Sequence, residues 1–152
     1  MKKIILFLLF VGLLQAQDTY KVVYDLTTGN MKTLELRLFK GIALAKEYYQ
    51  NKGNKFEAAV VIHGGAYKFF LKDLNKSEYK KEKDVIQAQA TIKAKLDRLV
   101  NKYHIKFLMC NVGATAHNLK RENIYDFVKM APNAAIGVIN LQHQGYNYVF
   151  ID

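Results

Sequence analysis

The chain of 152 residues is 51% hydrophobic, contains one cysteine and carries a formal net charge of +10 at pH 7. A single cysteine excludes an intramolecular disulfide, so the hydrophobic core has to stabilise the fold without a covalent cross-link. The excess of basic residues predicts a solvated surface, or attraction to a small anion or a membrane surface. A nucleic-acid partner is not favoured, because the lysines are spread over predicted helix faces and one loop and match no nucleic-acid-binding motif.

Residues 1–16 have the features of a secretory signal peptide. Lys2 and Lys3 precede an apolar stretch, Ile4–Leu14, and Ala16 supplies the small residue of a cleavage site. The stretch is shorter than the roughly 20 residues that cross a bilayer, so cleavage is favoured over a retained membrane anchor. We therefore predict a cleaved signal peptide over residues 1–16, a periplasmic location, and a single domain over residues 17–152.

The next segment predicts a strand followed by a long amphipathic helix. Tyr20–Leu26 is rich in aromatic and β-branched residues, as strands are, and Thr27–Asn30 has the composition of a turn. Apolar residues then recur at the spacing of one helix face. This face consists of Leu34, Leu38, Ile42, Ala45 and Tyr49. The helix is predicted to run from about Met31 to Asn51 and to end before Gly53, which suits the left-handed cap position.

A second strand and a second long helix follow. Phe56–Ile62 is almost continuously apolar, as in a strand that is covered on both faces. His63-Gly64-Gly65 comes directly after it, and Ala66–Leu71 is predicted to form a short helix. The lysine-rich segment Lys72–Lys83 has the composition of a solvated connection. The second long helix is predicted from Asp84 to about Lys102. Its apolar face consists of Val85, Ala88, Ile92, Leu96, Leu99 and Tyr103.

The remaining segments continue the alternation of strands and helices. Ile105–Cys110 is predicted to be the third strand, and Asn111–Asn118 a loop. The pattern of Ile124–Met130 fits a strand or a helix equally well. After it, Ala134–Gln144 is predicted to be a helix and Tyr146–Ile151 a final strand.

This alternation predicts an α/β fold, in which helices cover both faces of a mainly parallel five-stranded sheet and form a three-layer sandwich. Ligands of such sheets bind outside the carboxyl ends of the strands. The segments that follow the first three strands should therefore converge at one edge. The candidate site residues there are Asp25, His63, Gly64, Gly65, Cys110, Asn111, Gly113 and His117.

Cys110 is the candidate for chemistry at this edge, and two interpretations of it remain open. Gly113 and the alanines beside it let the backbone approach a ligand closely, and backbone N–H groups can hold an anionic sulfur. Free cysteines are also among the most often buried residues, so Cys110 is equally compatible with core packing. His63 and His117 could act as a base or a cation beside a thiol, or could be loop histidines that bond to the backbone.

Other kinds of chemistry find little support. The chain offers too few cysteine and histidine ligands at suitable spacing for a metal site, so we predict no metal ion and no cofactor. Ser77 is the one serine and lies in the lysine-rich connection, which argues against a serine hydrolase. No pair of carboxylates suited to acid–base catalysis is visible, and whether the protein is an enzyme stays open.

In the order and spacing of its segments, the chain resembles the DsrE/DsrF-like family over nearly all of residues 17–152. The telling segments are "FEAAVVIHGGAYKFFLKD", "IKFLMCNVGATAHNLKRENI" and "APNAAIGVINLQHQGYNYVFI". The resemblance implies a flavodoxin-like or Rossmann-like fold that assembles as homotrimers or homohexamers. Some members relay sulfur with partner proteins in the cytoplasm, as a persulfide on a cysteine that ends the third strand. Cys110 matches that cysteine, although the export signal points to an exported, single-cysteine subgroup.

Three functions are compatible with this resemblance. In the first, the protein is a persulfide carrier or sulfurtransferase-like relay, in which Cys110 exchanges sulfur with a small anionic sulfur species and with a donor or acceptor protein. In the second, it is a non-catalytic, oligomeric module that binds a small ligand, and Cys110 merely lines the pocket. In the third, it is an oligomeric scaffold with Cys110 in the core. We favour the first, although a fold by itself constrains function weakly.

Overall fold

The computed structural model describes residues 17–152, so the predicted signal peptide lies outside the described residues. All five strands of its single sheet are parallel, in the order β4-β3-β2-β1-β5. The strands are β1 Thr19–Leu26, β2 Lys55–Ile62, β3 Lys106–Cys110, β4 Val128–Ala131 and β5 Asn147–Ile151. The helices are α1 Met31–Thr33, α2 Lys40–Asn51, α3 Lys83–Asn101, α4 Asn111–Ala116 and α5 Ala134–His143.

The predicted three-layer α/β sandwich is confirmed, and its two faces hold two separate cores. Alternate residues of a strand point to opposite faces, so Tyr24 joins the larger core, whereas Val23 joins the smaller one. Residues of α2 and α3 complete the larger core, and Val138 and Leu141 of α5 complete the smaller one. Residues 58–62 of β2 are all buried, because this strand is covered from both sides.

The first long helix forms as predicted but contains a wider turn. Asn30 caps it, because its side chain accepts hydrogen bonds from the backbone N–H groups of Lys32 and Thr33. Between α1 and α2, residues Leu34–Phe39 form a π-helix. The apolar residues there recur every fourth position, a longer period than the 3.6 residues of an α-helical turn. The wider turn keeps such residues in line on the buried face.

Several connections differ from the sequence prediction. The predicted loop Asn111–Asn118 is wrong over most of its length, since Asn111–Ala116 is the helix α4. The ambiguous segment ends in the strand Val128–Ala131. The predicted short helix is a 3₁₀-helix, Gly64–Phe70, with four buried side chains. The lysine-rich connection also contains 3₁₀ turns, which Asp73 and Ser77 cap with their side chains.

The edge strand β5 exposes apolar side chains to solvent. Within the described part of the chain, strand β5 pairs with β1 alone, and its residues Tyr148, Val149 and Phe150 are 46%, 38% and 47% exposed. On α5, Ile139 is exposed as well. Within residues 17–152, no helix combines the length and the apolarity needed to cross a membrane.

Candidate functional site

Most of the candidate residues lie at the carboxyl edge of the sheet. The register pairs Leu26 with Ile62 and Ile62 with Met109. His63 and Cys110 each come one position later, so they stand at corresponding positions on neighbouring strands. Cys110 in turn pairs with Ala131 at the end of β4. The prediction that Cys110 ends the third strand is confirmed.

Cys110 is both the last residue of β3 and the residue that caps α4. Its Sγ accepts a hydrogen bond from the backbone N–H of Gly113, with a nitrogen–sulfur distance of 3.4 Å. The hydroxyl of Tyr67 donates to the backbone carbonyl of Cys110 at 3.3 Å. Cys110 is 8% exposed and contributes to the larger core. The thiol thus lies just beneath the surface, beside a backbone donor that could hold a negatively charged sulfur.

Tyr67 is a site residue that the sequence prediction missed. Its side chain is fully buried in the larger core. Burial raises the pKa of Tyr67 well above its ordinary value, and its hydrogen bond and charge interaction with Cys110 raise the pKa further. The phenol therefore remains protonated at neutral pH and serves as a donor toward the end of β3.

Gly113 makes room for this phenol. A Cβ atom added at Gly113 would lie 1.9 Å from the hydroxyl oxygen of Tyr67 and 2.8 Å from the adjoining ring carbon. No side chain could occupy that space unless Tyr67 moved. The glycine that the sequence analysis assigned to ligand approach therefore has a packing role beside Cys110.

His117 lies on the other side of Tyr67. The two rings are 5.3 Å apart between centroids and tilted by 53°. Nδ1 of His117 is 2.5 Å from a carboxylate oxygen of Glu78, which belongs to the connection between β2 and α3. Asn111, the first residue of α4, is exposed next to Cys110. Cys110, Asn111, Gly113 and His117 thus form one group around Tyr67, which we call the cysteine cluster.

His63 and Asp25 belong to a second group, the histidine cluster, together with Tyr148. Nε2 of His63 is 2.6 Å from one oxygen of Asp25, and the hydroxyl of Tyr148 donates to the other oxygen at 2.7 Å. The hydrogen bond to Asp25 raises the pKa of Tyr148, and partial burial and the charge of Asp25 act in the same direction. A carboxylate only accepts, so a neutral His63 would donate from Nε2 and present a lone pair at Nδ1.

Gly64 and Gly65 bring the loops after β1 and β2 into contact. Gly64 has φ of +58°, a left-handed conformation that favours glycine. A Cβ at Gly65 would lie 2.8 Å from the backbone nitrogen of Gly29, in the turn after β1. Among residues 17–152, no three histidine, cysteine or acidic side chains lie close enough together to hold a metal ion.

Comparisons with known proteins agree with this architecture. A sequence model described as the DsrE/DsrF-like family matches residues 21–151. An uncharacterized protein of Aquifex aeolicus (strain VF5) is 27% identical over 149 residues, which are 98% of this chain and 63% of that protein. This chain thus spans less than two thirds of that relative's length.

A solved structure extends the comparison to the fold. The protein of unknown function MTH1491 from Methanobacterium thermoautotrophicum superposes with a TM-score of 0.64 at 14% sequence identity. The match covers 86% of this chain and 98% of that chain. At this level of identity the likeness shows a common fold and nothing about the site.

Proposed function

Since the chain belongs to the DsrE/DsrF-like family, we propose that it is a sulfur-handling protein, a persulfide carrier or sulfurtransferase-like relay that uses Cys110. Membership of this family suggests a function related to sulfur relay. The observation that carries the finer proposal is the position of Cys110. This single cysteine ends a central strand at the carboxyl edge of the sheet, and its Sγ already accepts a backbone N–H bond.

The proposed reaction transfers sulfane sulfur without net oxidation. The Cys110 thiol releases its proton to solvent, and the thiolate attacks the terminal sulfur of a polysulfide or the outer sulfur of thiosulfate. A new S–S bond forms on Cys110 while the S–S bond of the donor breaks, and the electron pair leaves with the shortened polysulfide or with sulfite. A thiolate of an acceptor protein then attacks the outer sulfur of the persulfide and releases the Cys110 thiolate.

The neighbouring groups suit such an anionic sulfur. The Gly113 N–H would continue to donate to the sulfur, and donors to charged acceptors form the stronger hydrogen bonds. The protonated Tyr67 holds the end of β3 through the Cys110 carbonyl. His63 and His117 are the proposed contacts for the donor. Cleavage of residues 1–16 removes Lys2 and Lys3 and leaves 21 basic against 13 acidic side chains, a net charge of +8 that favours the approach of an anionic donor.

Location and assembly belong to the same proposal. The signal-peptide features of residues 1–16 support a periplasmic site of action. The exposed apolar residues of β5 support association of copies of this chain, because apolar surface of this kind is stabilised when it is buried between subunits. We propose a trimer or a hexamer, and a sulfur donor or acceptor protein as a further partner.

The low exposure of Cys110 favours one alternative function. A cysteine that is 8% exposed could line a ligand pocket at the carboxyl edge without reacting. The protein would then be a non-catalytic oligomeric binding module. In that case a variant without the thiol would keep its ligand, whereas a sulfur carrier would lose all function.

Intact-mass spectrometry of the purified protein after exposure to polysulfide or thiosulfate tests the proposal. We expect the mass of one sulfur atom to be added to the wild type, to be absent from Cys110→Ser, and to be removed by dithiothreitol. Iodoacetamide alkylation under native and denaturing conditions provides the control for access. An unmodified thiol that is alkylated only after unfolding would refute the sulfur function and leave the binding module.

A further inference from the structure

A cavity of about 680 Å³ lies at the amino edge of the sheet, opposite the end that carries Cys110. It is formed where β2 and β3 begin, beneath the second half of α2 and beside the turn that joins α3 to β3. Pockets for small organic ligands typically have volumes of roughly 300–1,000 Å³. The cavity is thus large enough for such a molecule, and neither the cysteine cluster nor the histidine cluster contributes to it.

Positive charge predominates on the lining. Lys46, Lys55 and Lys106 line the cavity, and Glu57 is the one acidic residue beside them. With His104 neutral, three lysines against one glutamate leave a local charge of +2. Among the ion pairs of residues 17–152, none involves these three lysines. A concave surface of one charge sign concentrates ions of the opposite sign.

Lys106 and Glu57 are fixed in position by a buried tyrosine. The hydroxyl of Tyr146 accepts from Nζ of Lys106 at 3.3 Å and donates to a carboxylate oxygen of Glu57 at 3.3 Å. Tyr146 itself is 4% exposed, so this arrangement is anchored in the smaller core. An ammonium group has three donors, and the bond to Tyr146 uses one of them. Lys106 can therefore donate to a ligand without breaking its contact with Tyr146.

His104, which lines the cavity, has a left-handed backbone conformation that is uncommon for a residue other than glycine. It follows α3, where its N–H bonds to the carbonyl of Val100 and the N–H of Ile105 bonds to the carbonyl of Leu99. The first of these is the single 5→1 bond of an αL cap, whose left-handed position is usually a glycine. His104 occupies it with φ of +57°. The hydrogen bonds that end α3 here are made by the backbone and do not require an imidazole side chain. Residues other than glycine that are held in this conformation are frequent at ligand sites.

We propose that this cavity binds a small organic anion that carries an acidic group on an apolar body. Lys55, Lys106 and His104 would bind the acidic group, and the apolar body would lie against Phe56 and Tyr103 on the lining. Side-chain amides of Gln50 and Asn54 add further donors. The proposal is independent of the sulfur function, because it concerns the opposite edge of the sheet.

The test is isothermal titration calorimetry of the purified protein with naphthalene-1-sulfonate, an aromatic sulfonate, as the probe. We expect saturable binding to one site that weakens as the salt concentration rises. Lys106→Gln should weaken binding about tenfold, the loss expected for one hydrogen bond to a charged group. Lys32→Gln, which removes the same charge at the other edge of the sheet, should leave the affinity within about twofold of the wild type.

His104→Gly separates ligand binding from folding. Glycine relieves the left-handed conformation, so this variant should unfold at a higher temperature than the wild type, yet bind the probe about threefold to tenfold more weakly through loss of one hydrogen bond. Asn118→Gly is the matched control, because Asn118 has φ of +52° and lies after α4, outside the lining. It should gain stability and keep its affinity for the probe.

Three results would overturn the proposal. The first is a wild-type protein that shows no saturable binding of the sulfonate. The second is a loss of affinity in Lys32→Gln as large as that in Lys106→Gln, which would indicate general attraction to a basic surface. The third is equally tight binding of the neutral 1-naphthol, which would remove the requirement for an anion.

Discussion

Replacement of Gly113 by alanine tests the packing around Cys110 because two effects on stability oppose each other. Gly113 lies inside α4, where alanine is ordinarily preferred over glycine by roughly 0.5–1 kcal/mol. The added methyl carbon would lie 1.9 Å from the hydroxyl oxygen of Tyr67 and 2.8 Å from its ring carbon. Tyr67 is 1% exposed, so its ring cannot turn aside without disturbing the larger core.

The clash should outweigh the gain in helix propensity. Overpacking a tightly filled core costs typically about 1–3 kcal/mol. Displacement of Tyr67 also breaks its hydrogen bond to the Cys110 carbonyl, at a net cost of about 1 kcal/mol. After subtraction of the propensity gain, Gly113→Ala should lower the free energy of unfolding by roughly 1–3 kcal/mol.

Urea unfolding followed by circular dichroism measures this difference. Gly41→Ala is the control, since the nearest atom to a methyl group at that helical position is the Leu36 carbonyl oxygen at 3.9 Å. It should stabilise the protein by roughly 0.5–1 kcal/mol. In a Tyr67→Phe background the most severe contact is gone, so Gly113→Ala should cost about 1 kcal/mol less there than in the wild type. A Gly113→Ala protein as stable as the wild type would refute this account of the packing.

Two further predictions concern alkaline stability and assembly. Burial raises the pKa of Tyr24 to about 12, whereas an unperturbed tyrosine in the unfolded chain has a pKa of about 10. The folded state therefore holds the phenol proton of Tyr24 more tightly than the unfolded state does. The stability that this difference in pKa contributes is complete below about pH 10 and is lost as the pH rises toward 12. Between about pH 9 and 11 the free energy of unfolding should fall by about 1 kcal/mol more in the wild type than in Tyr24→Phe. Urea unfolding at each pH measures this free energy, and an equal fall in the two proteins would contradict the prediction. Sedimentation velocity should reveal a trimer-based assembly, and a strictly monomeric profile would count against the proposed association through β5.

The elements with strong periodicity could be predicted from the sequence. The spacing of Leu34, Leu38 and Ile42 marked one buried helix face, and all three are buried. The continuous apolar run of β2 indicated a strand covered from both sides, which it is. Such patterns are local, because each reports which side of one element faces a core.

Helix α4 could not be predicted, because its sequence has the composition of a loop. "NVGATA" contains a glycine and a threonine, and a six-residue helix has little intrinsic stability. Tertiary contacts provide what propensity does not, since Cys110 caps the helix and Ala114 is buried. The prediction of a loop therefore failed where packing overrode local preference.

The polar contacts of the two clusters were also beyond the reach of the sequence. From the sequence alone, Tyr67 and Tyr148 have the pattern of residues that pack in a core. Nothing nearby in the chain identifies the hydrogen-bond partners of their hydroxyl groups. Tyr148 bonds to Asp25, which is 123 residues earlier in the chain. The register of the parallel strands brings such residues together, and it can be read only from the folded sheet.

The strand order has a consequence for how the chain folds. Strand β1 is made first among the five strands, but one of its neighbours, β5, is made last, and Val22 pairs with Asn147. One side of β1 therefore keeps unpaired backbone groups until Asn147–Ile151 has been made and has joined the sheet. Pairing over so long a loop is slow, and an open strand edge invites pairing with other chains in the meantime. A chaperone that covers this edge until β5 has paired with β1 would protect the chain from aggregation during this period.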